Sequence, residues 1–508
     1  MPSEFEKWVQ NRPLCCAIIL TGGIPALKTR GATHMRVLEW VLFLSLAVQL
    51  VSPLFLRTAL RRLLLAALVA GLAACAVLVH GPRLAMLPAC VLAGVGLVRA
   101  ALFRSGRRGR PLLRAMGAGA LALLWIVAVA LPALFPLVDL PKPSGAYPVG
   151  TARLDFVEED REDVVGGGVS DETVALRLWY PAASTDGCVR AKWMESAEAA
   201  YFAARMGLPN VLGQLCLVRT NSFWNAPLSE AQENYPVLLF SGGLGGFSGQ
   251  NAVQAEELAS RGYIVCAVSH PGEDVFVTHA DGTTVGSDGA FEAALEAEAM
   301  GAYSSANALL EEESAQARRA FLRAFVLSNE AARVWSKDLI AAADYLEALN
   351  AAAQWAGRLD MDRLGVFGHS FGGAAAGEAC LLDARFKAFV NLDGTPYGDT
   401  VDEIIDRPFL VMTAGAADET ALQVSGYAQG QTGFWVAGIE GAQHMNFMDL
   451  NAVLPRAGRL AGLLGSVDAK RQTEIVNRYL SAFFDSVLGE PRAPFRETAV
   501  FPVSLLSF

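Results

Sequence analysis

Ser370 stands in Gly368-His369-Ser370-Phe371-Gly372-Gly373, after the apolar run Leu364-Gly365-Val366-Phe367 and before the helix-forming run Ala374-Ala375-Ala376-Gly377-Glu378-Ala379-Cys380-Leu381-Leu382. Strand, tight turn, helix is the setting in which G-x-S-x-G presents a serine as a nucleophile. The turn strains the serine backbone, and glycines two residues either side let strand and helix approach closely. Gly368-x-Ser370-x-Gly372 therefore predicts a nucleophile elbow. The pattern also arises by chance in a chain with 48 glycines, so the flanking elements carry the weight.

A serine hydroxyl needs a base, and the base needs an orienting acid. In elbow-bearing folds the chain order is Ser, then Asp or Glu, then His. Of the six histidines, His34, His80, His270, His279 and His369 precede Ser370, and His444 alone follows it. It lies in Gly441-Ala442-Gln443-His444-Met445-Asn446-Phe447, a loop after the strand-like Phe434-Trp435-Val436-Ala437. Two aspartates stand at strand ends where the acid belongs: Asp393 after Phe389-Val390-Asn391-Leu392, and Asp418 after Phe409-Leu410-Val411-Met412-Thr413. The residue pattern does not separate them.

Several stretches between about residues 141 and 485 resemble the plasma-type (form II) platelet-activating factor acetylhydrolases and their bacterial relatives. Pro141-Lys142-Pro143-Ser144-Gly145 and Leu178-Trp179-Tyr180-Pro181 are similar to that family's first segments, and Gly262-Tyr263-Ile264-Val265 through Ser269-His270 to a following strand. The elbow and the His444 loop resemble its serine and histidine motifs. Phe240-Ser241-Gly242-Gly243-Leu244-Gly245 resembles its oxyanion loop, although the family commonly has His where Gly242 stands. The resemblance implies an α/β-hydrolase fold and a carboxylic ester hydrolase of the 1-alkyl-2-acetylglycerophosphocholine esterase type. It implies Asp393 rather than Asp418 as the acid, and backbone N–H groups of Leu244 and Phe371 as oxyanion donors. The substrates it implies are phospholipids with short or oxidised acyl chains. A broad short-chain esterase or polyester hydrolase is the enzymatic alternative; a non-catalytic membrane lipid-binding or sensor protein is the alternative of another class. The glycines at 242–245 do not spell a dinucleotide fingerprint, because Ser248 stands where the third glycine or alanine belongs.

Alternating strand and helix patterns from residue 154 onward predict a mostly parallel sheet with helices on both faces. Insertions at 186–232, with Trp193, Tyr201, Phe202, Phe223 and Trp224, and at 285–330, rich in Ala and Glu, interrupt the alternation. Either could cap the site; ordinary packing of the aromatics and a solvated acidic helix is the reading set beside that one and preferred to it. The chain before residue 140 is a different polypeptide: its first 140 residues hold 15 Lys and Arg against 4 Asp and Glu, whereas the remaining 368 hold 26 against 47. Uncharged apolar runs at 40–56, 63–79, 84–98 and 115–138 predict a transmembrane bundle of about four helices. A span needs about 20 residues, about 17 at the least; the first, second and fourth runs reach that, and the third does so by continuing past Arg99. The division is 1–35 as a tail that is absent if Met35 is the start, 36–140 as membrane helices and 141–508 as the catalytic domain.

Arg57, Arg61 and Arg62 lie between the first and second runs, and Arg104, Arg107, Arg108, Arg110 and Arg114 between the third and fourth. By the positive-inside rule these loops face the cytoplasm and the catalytic domain the other side. Lys7, Arg12, Lys28 and Arg30 in the tail oppose that orientation. An exported domain would permit a Cys188–Cys216 disulfide. The acidic catalytic portion argues against nucleic acid as a partner, and scattered His and Cys argue against a metal site. The expected partners are a small-molecule or lipid ester and the membrane, with no cofactor. The oligomeric state is not legible.

Overall fold

The structure, a computed structural model, describes residues 37–489 apart from 57, 81–82, 103–110, 209–211, 313, 353, 416 and 428–433, together with Phe495 and 503–507. The tail 1–35, Arg57, Arg104, Arg107, Arg108 and Arg110 lie outside the described residues.

Four apolar helices come first: α1 (Val37–Val51), α2 (Ala59–His80), α3 (Leu87–Ala101) and α4 (Pro111–Leu134). Spans at Ala59–Val79, Leu84–Ala101 and Ala115–Leu134 are long and apolar enough to cross a membrane. The third run, short by sequence, qualifies because its helix continues through Arg99 to Ala101. The first run falls short of expectation. Its helix has 15 described residues and gives way to a single 3-10 turn, Ser52–Leu54, at Pro53, which has no N–H to continue the ladder. Leu42, Phe43 and Leu46 of α1 pack with Val69, Ala73, Met86, Ala89 and Leu92, while Leu64, Leu68, Leu78, Leu112 and Leu123 face outward. Glu39 and Arg83, both buried, form an ion pair at one edge of the bundle.

Next come β1 (Val149–Glu162), β2 (Val169–Pro181), β3 (Arg190–Lys192), α5 (Ser196–Arg205), β4 (Arg219–Trp224), β5 (Tyr235–Ser241), α6 (Ala252–Ser260), β6 (Ile264–Val268), β7 (Phe276–Thr278), β8 (Thr284–Gly286), α7 (Ala290–Ala306), α8 (Ala315–Leu322) and α9 (Val326–Leu349). The chain continues with β9 (Leu359–His369), α10 (Phe371–Leu382), β10 (Phe386–Leu392), β11 (Phe409–Thr413), α11 (Ala417–Ser425), β12 (Phe434–Ile439), α12 (Leu450–Val453), α13 (Pro455–Leu460), α14 (Ala469–Leu488) and β13 (Val503–Ser507).

Among the described residues the main sheet runs β13-β12-β11-β10-β9-β5-β6-β2-β1-β4-β3. Its centre, β6-β5-β9-β10-β11-β12, is parallel, and its strands are buried on both faces, hence their unbroken apolar runs. Side chains alternate between two cores: Leu238 and Phe240 join α6 and α14 on one face, Val237 and Leu239 join α9 and α10 on the other. This is the expected α/β-hydrolase architecture. Aromatic residues of both insertions are packed against the domain, in line with the ordinary-packing reading of them. Trp193 and Phe202 meet the ring of Phe247 edge-on, and Phe291 stacks toward Trp335. Cys188 and Cys216 are not joined to each other by a disulfide.

Candidate active site

β9 ends at His369 and α10 begins at Phe371, leaving Ser370 as the single residue of the turn, with φ 56° and ψ −124°. Two close approaches hold it there. The Ser370 N–H donates to Leu392 O at the end of β10 (2.9 Å), and a Cβ on Gly372 would overlap the carbonyl oxygens of Ser241 and Gly242. Only glycine fits between β5 and the elbow helix. Gly368 is constrained in the same way by the backbone of Gly372.

The structure brings Ser370, His444 and Asp393 together. Ser370 Oγ lies 2.8 Å from His444 Nε2, and His444 Nδ1 lies 2.8 Å from Asp393 Oδ2. The Asp393 side chain is fully buried, whereas that of His444 is 40% exposed. Asp393 follows β10 directly at φ 58°. Its N–H donates to Met412 O (2.7 Å), and its Oδ1 accepts from the Ala414 N–H (2.7 Å) and Gln423 Nε2 (3.3 Å). With one carboxylate oxygen saturated by these donors, the other is left for His444 Nδ1–H. The imidazole is thereby fixed with Nε2 as acceptor for the serine hydroxyl. The side chain of Asp418, on α11, lies outside the described residues.

His444 opens a 3-10 turn, His444–Phe447, that amide side chains hold in place. The Gln443 N–H donates to Asn446 Oδ1 (2.9 Å), which also accepts from the Gly465 N–H (2.8 Å), and Asn251 Nδ2 donates to Phe447 O (2.6 Å). His369, the last residue of β9, supports the same loop: its Nε2 lies 3.2 Å from His444 O and its Nδ1 3.2 Å from Gln250 Nε2. Burial, with His444 nearby, drives the His369 pKa well below the ordinary histidine value. The ring is neutral, donating from Nε2 and accepting at Nδ1.

The loop after β5 comes within reach of the nucleophile. A Cβ on Gly243 would stand 2.9 Å from Ser370 Cβ. The Gly246 N–H donates to Gly243 O (2.8 Å), closing a turn over Leu244 and Gly245, and Gly245 has φ +63°. Among the described residues the N–H groups of Leu244 and Phe371 donate to no protein acceptor. At Gly242, the carboxamide of Gln250 fills the vacant space: Oε1 lies 3.3 Å from where a Cβ on Gly242 would be, and 3.4 Å from the Gly243 N–H. Sequence reasoning missed Gln250, Asn446 and Gln423. No spacing rule marks amides whose contacts here span from 3 to 119 residues. Both insertions reach this loop: Glu292 of α7 pairs with Arg205 of α5 at 3.3 Å, and its Oε1 lies 3.0 Å from where a Cβ on Gly245 would stand.

The chain is similar to known proteins over most of this domain. The platelet-activating factor acetylhydrolase, isoform II, family matches residues 133–492. Platelet-activating factor acetylhydrolase of Cavia porcellus is 28% identical over 374 residues, 70% of this chain and 79% of that protein. That of Canis lupus familiaris is 25% identical over 378 residues, 69% and 77% of the two chains. A probable 1-alkyl-2-acetylglycerophosphocholine esterase of Arthroderma benhamiae is 28% identical over 142 residues, 24% of this chain and 37% of that protein. Among solved structures, a ferulic acid esterase from Streptomyces cinnamoneus superposes with a TM-score of 0.57 at 23% identity, covering 73% of this chain and 99% of that one. At that identity the likeness speaks for the fold.

Proposed function

This chain belongs to the platelet-activating factor acetylhydrolase, isoform II, family and is a carboxylic ester hydrolase; from that premise we propose that Ser370, His444 and Asp393 carry the reaction through an acyl-enzyme. His444 Nε2 takes the Ser370 proton as Oγ attacks the ester carbonyl, and Asp393 holds the tautomer and stabilises the imidazolium. The alkoxide leaves with the proton returned by His444. Water, activated by the same imidazole, then cleaves the acyl-serine. Negative charge on the carbonyl oxygen is met by the N–H groups of Leu244 and Phe371, preorganised at the loop after β5 and the start of α10. One observation carries the assignment above the others: the unbroken run of 2.8 Å contacts from Ser370 Oγ through His444 to Asp393.

The proposed substrates are glycerophospholipids with short or oxidised acyl chains, delivered to a catalytic domain (141–508) that spans in α2, α3 and α4 tether to a membrane. The names of the Cavia porcellus and Arthroderma benhamiae relatives support that substrate class. The test is hydrolysis by the full chain of phospholipids whose sn-2 acyl group lengthens stepwise, beside simple aryl esters of the same acids. Turnover that falls steeply beyond short acyl chains and needs the glycerophospholipid supports the proposal. Equal rates on the aryl esters point instead to a broad short-chain esterase, and no turnover together with no fluorophosphonate labelling of Ser370 points to a lipid-binding module.

A further inference from the structure

A second Ser–His–Asp alignment lies behind the oxyanion loop, and the mechanism above makes no use of it. Ser241 Oγ is 2.8 Å from His270 Nε2, and His270 Nδ1 is 2.6 Å from Asp338 Oδ2. All three residues are completely or almost completely buried, so no ester reaches Ser241. Arg161 clasps the carboxylate of Asp338 through Nε (2.8 Å) and Nη2 (2.9 Å) and reaches Glu273 through Nη2 (2.9 Å). Trp335 Nε1–H also donates to Glu273. Burial by itself would raise Asp338, but Arg161 and His270 hold it well below the usual carboxylate range. Burial lowers His270. A carboxylate facing a neutral imidazole fixes the directions: His270 Nδ1–H donates to Asp338, and Nε2 accepts from the Ser241 hydroxyl.

The two faces of this imidazole assembly lead to the two oxyanion donors. Ser241 is the last residue of β5, directly before Gly242-Gly243-Leu244, and pairs in register with Gly368 of β9. The His270 ring stacks on the Trp335 indole, with centroids 3.7 Å apart and planes 10° from parallel. Trp335 in turn meets the Phe371 ring edge-on at 4.9 Å. Ser241 thus leads to the Leu244 N–H, and Trp335 to the residue that carries the other N–H. Donors must sit about 2.7–3.1 Å from the developing oxyanion, and a displacement of about 1 Å in such a site costs on the order of 10²-fold. Because Gly372 already touches Ser241 O and Gly242 O, no slack separates the two banks.

We propose that His270 is a positioning residue that fixes the two oxyanion donors relative to each other, through Ser241 on one side and Trp335 on the other. The proposal rests on the reading of Leu244 and Phe371 as donors and of Ser370 as nucleophile. The test is Ser241→Ala and His270→Gln in the full-length protein in detergent micelles, measuring kcat, KM and the affinity for a trifluoromethyl ketone analogue of a short-chain ester, whose hemiketal oxyanion occupies the hole. Ser241→Ala is expected to lower kcat about tenfold or more, to weaken the ketone by the same factor and to leave KM within about twofold. His270→Gln, where it folds, is expected to do the same to a larger degree. Unchanged kcat and ketone affinity in Ser241→Ala would overturn the proposal, as would a fall in kcat with ketone affinity retained. Ser370→Ala run beside them separates the two readings: if it stays active, the nucleophile assignment fails whatever Ser241→Ala does.

Discussion

Asp393 adopts a left-handed conformation that costs a non-glycine residue of order 1–3 kcal/mol, and in return one carboxylate oxygen faces Ala414 and Gln423 while the other faces His444. Asp393→Asn is expected to leave the fold intact and lower kcat by about 10⁴, because the amide no longer selects the productive tautomer. Asp418→Asn is expected to stay within a few-fold of wild type; the reverse ranking in steady-state kinetics would remove Asp393 from its role. Gln250→Ala is a second residue-level test. It empties the space beside Gly242 and unties His369 and the Gly243 N–H, so kcat should fall about tenfold or more; an unchanged kcat would make the carboxamide mere filling. Ser370 and His444 were legible because one carries a motif and the other is the last histidine in the chain. Asp393 was not separable from Asp418 by residue pattern, because each follows an apolar strand-like run; in the structure Asp393 directly follows β10, whereas Asp418 falls on α11. Gln250 stayed hidden because its role depends on a glycine at 242, which composition does not connect to it.

Helix α10 is built to let strand and loop come close, with Gly372 and Gly373 against the carbonyl oxygens of Ser241 and Gly242 and the side chain of Asn391. Gly372→Ala should abolish activity and lower the melting temperature together, whereas Gly301→Ala, where nothing lies within 4 Å, should do neither. The same helix carries Glu378, which accepts from the N–H groups of Asp399 and Thr400. Burial, and then the charge of Asp399, raise its pKa to about 7. The folded state therefore holds a proton that the unfolded chain has released above the ordinary glutamate value. Stability contributed by that proton is complete below about pH 4.5, declines as pH rises toward 7 and is gone above it. Glu378→Gln, neutral throughout, should match wild type near pH 4.5 and melt a few degrees higher at pH 8; parallel melting curves would contradict this. Element types were readable where periodicity was long, as in α9 and α14. The length of α1 was not, because the apolar run hides the effect of Pro53.

Across the whole molecule, the bundle and the sheet are joined through the segment that leaves α4. Arg456 Nη1 donates to Ala133 O (3.0 Å), Gln214 Nε2 to Phe135 O (2.9 Å), and the Leu140 N–H to Arg219 O (2.9 Å). The arginines between the first and second apolar runs and between the third and fourth lead us to propose a catalytic domain outside the cytoplasm. A periplasmic-type reporter fused after residue 141 should be active and a cytoplasmic one silent; the opposite pair of results would reverse the orientation. The most direct test of the whole account is the covalent intermediate: rapid quenching during turnover of a short-chain aryl ester, followed by mass measurement of the peptides. The acyl group should be found on Ser370 and nowhere else, with Ser370→Ala losing activity by on the order of 10⁶. An acyl group on a different side chain, or a Ser370→Ala variant that still hydrolyses esters at the wild-type rate, would contradict it.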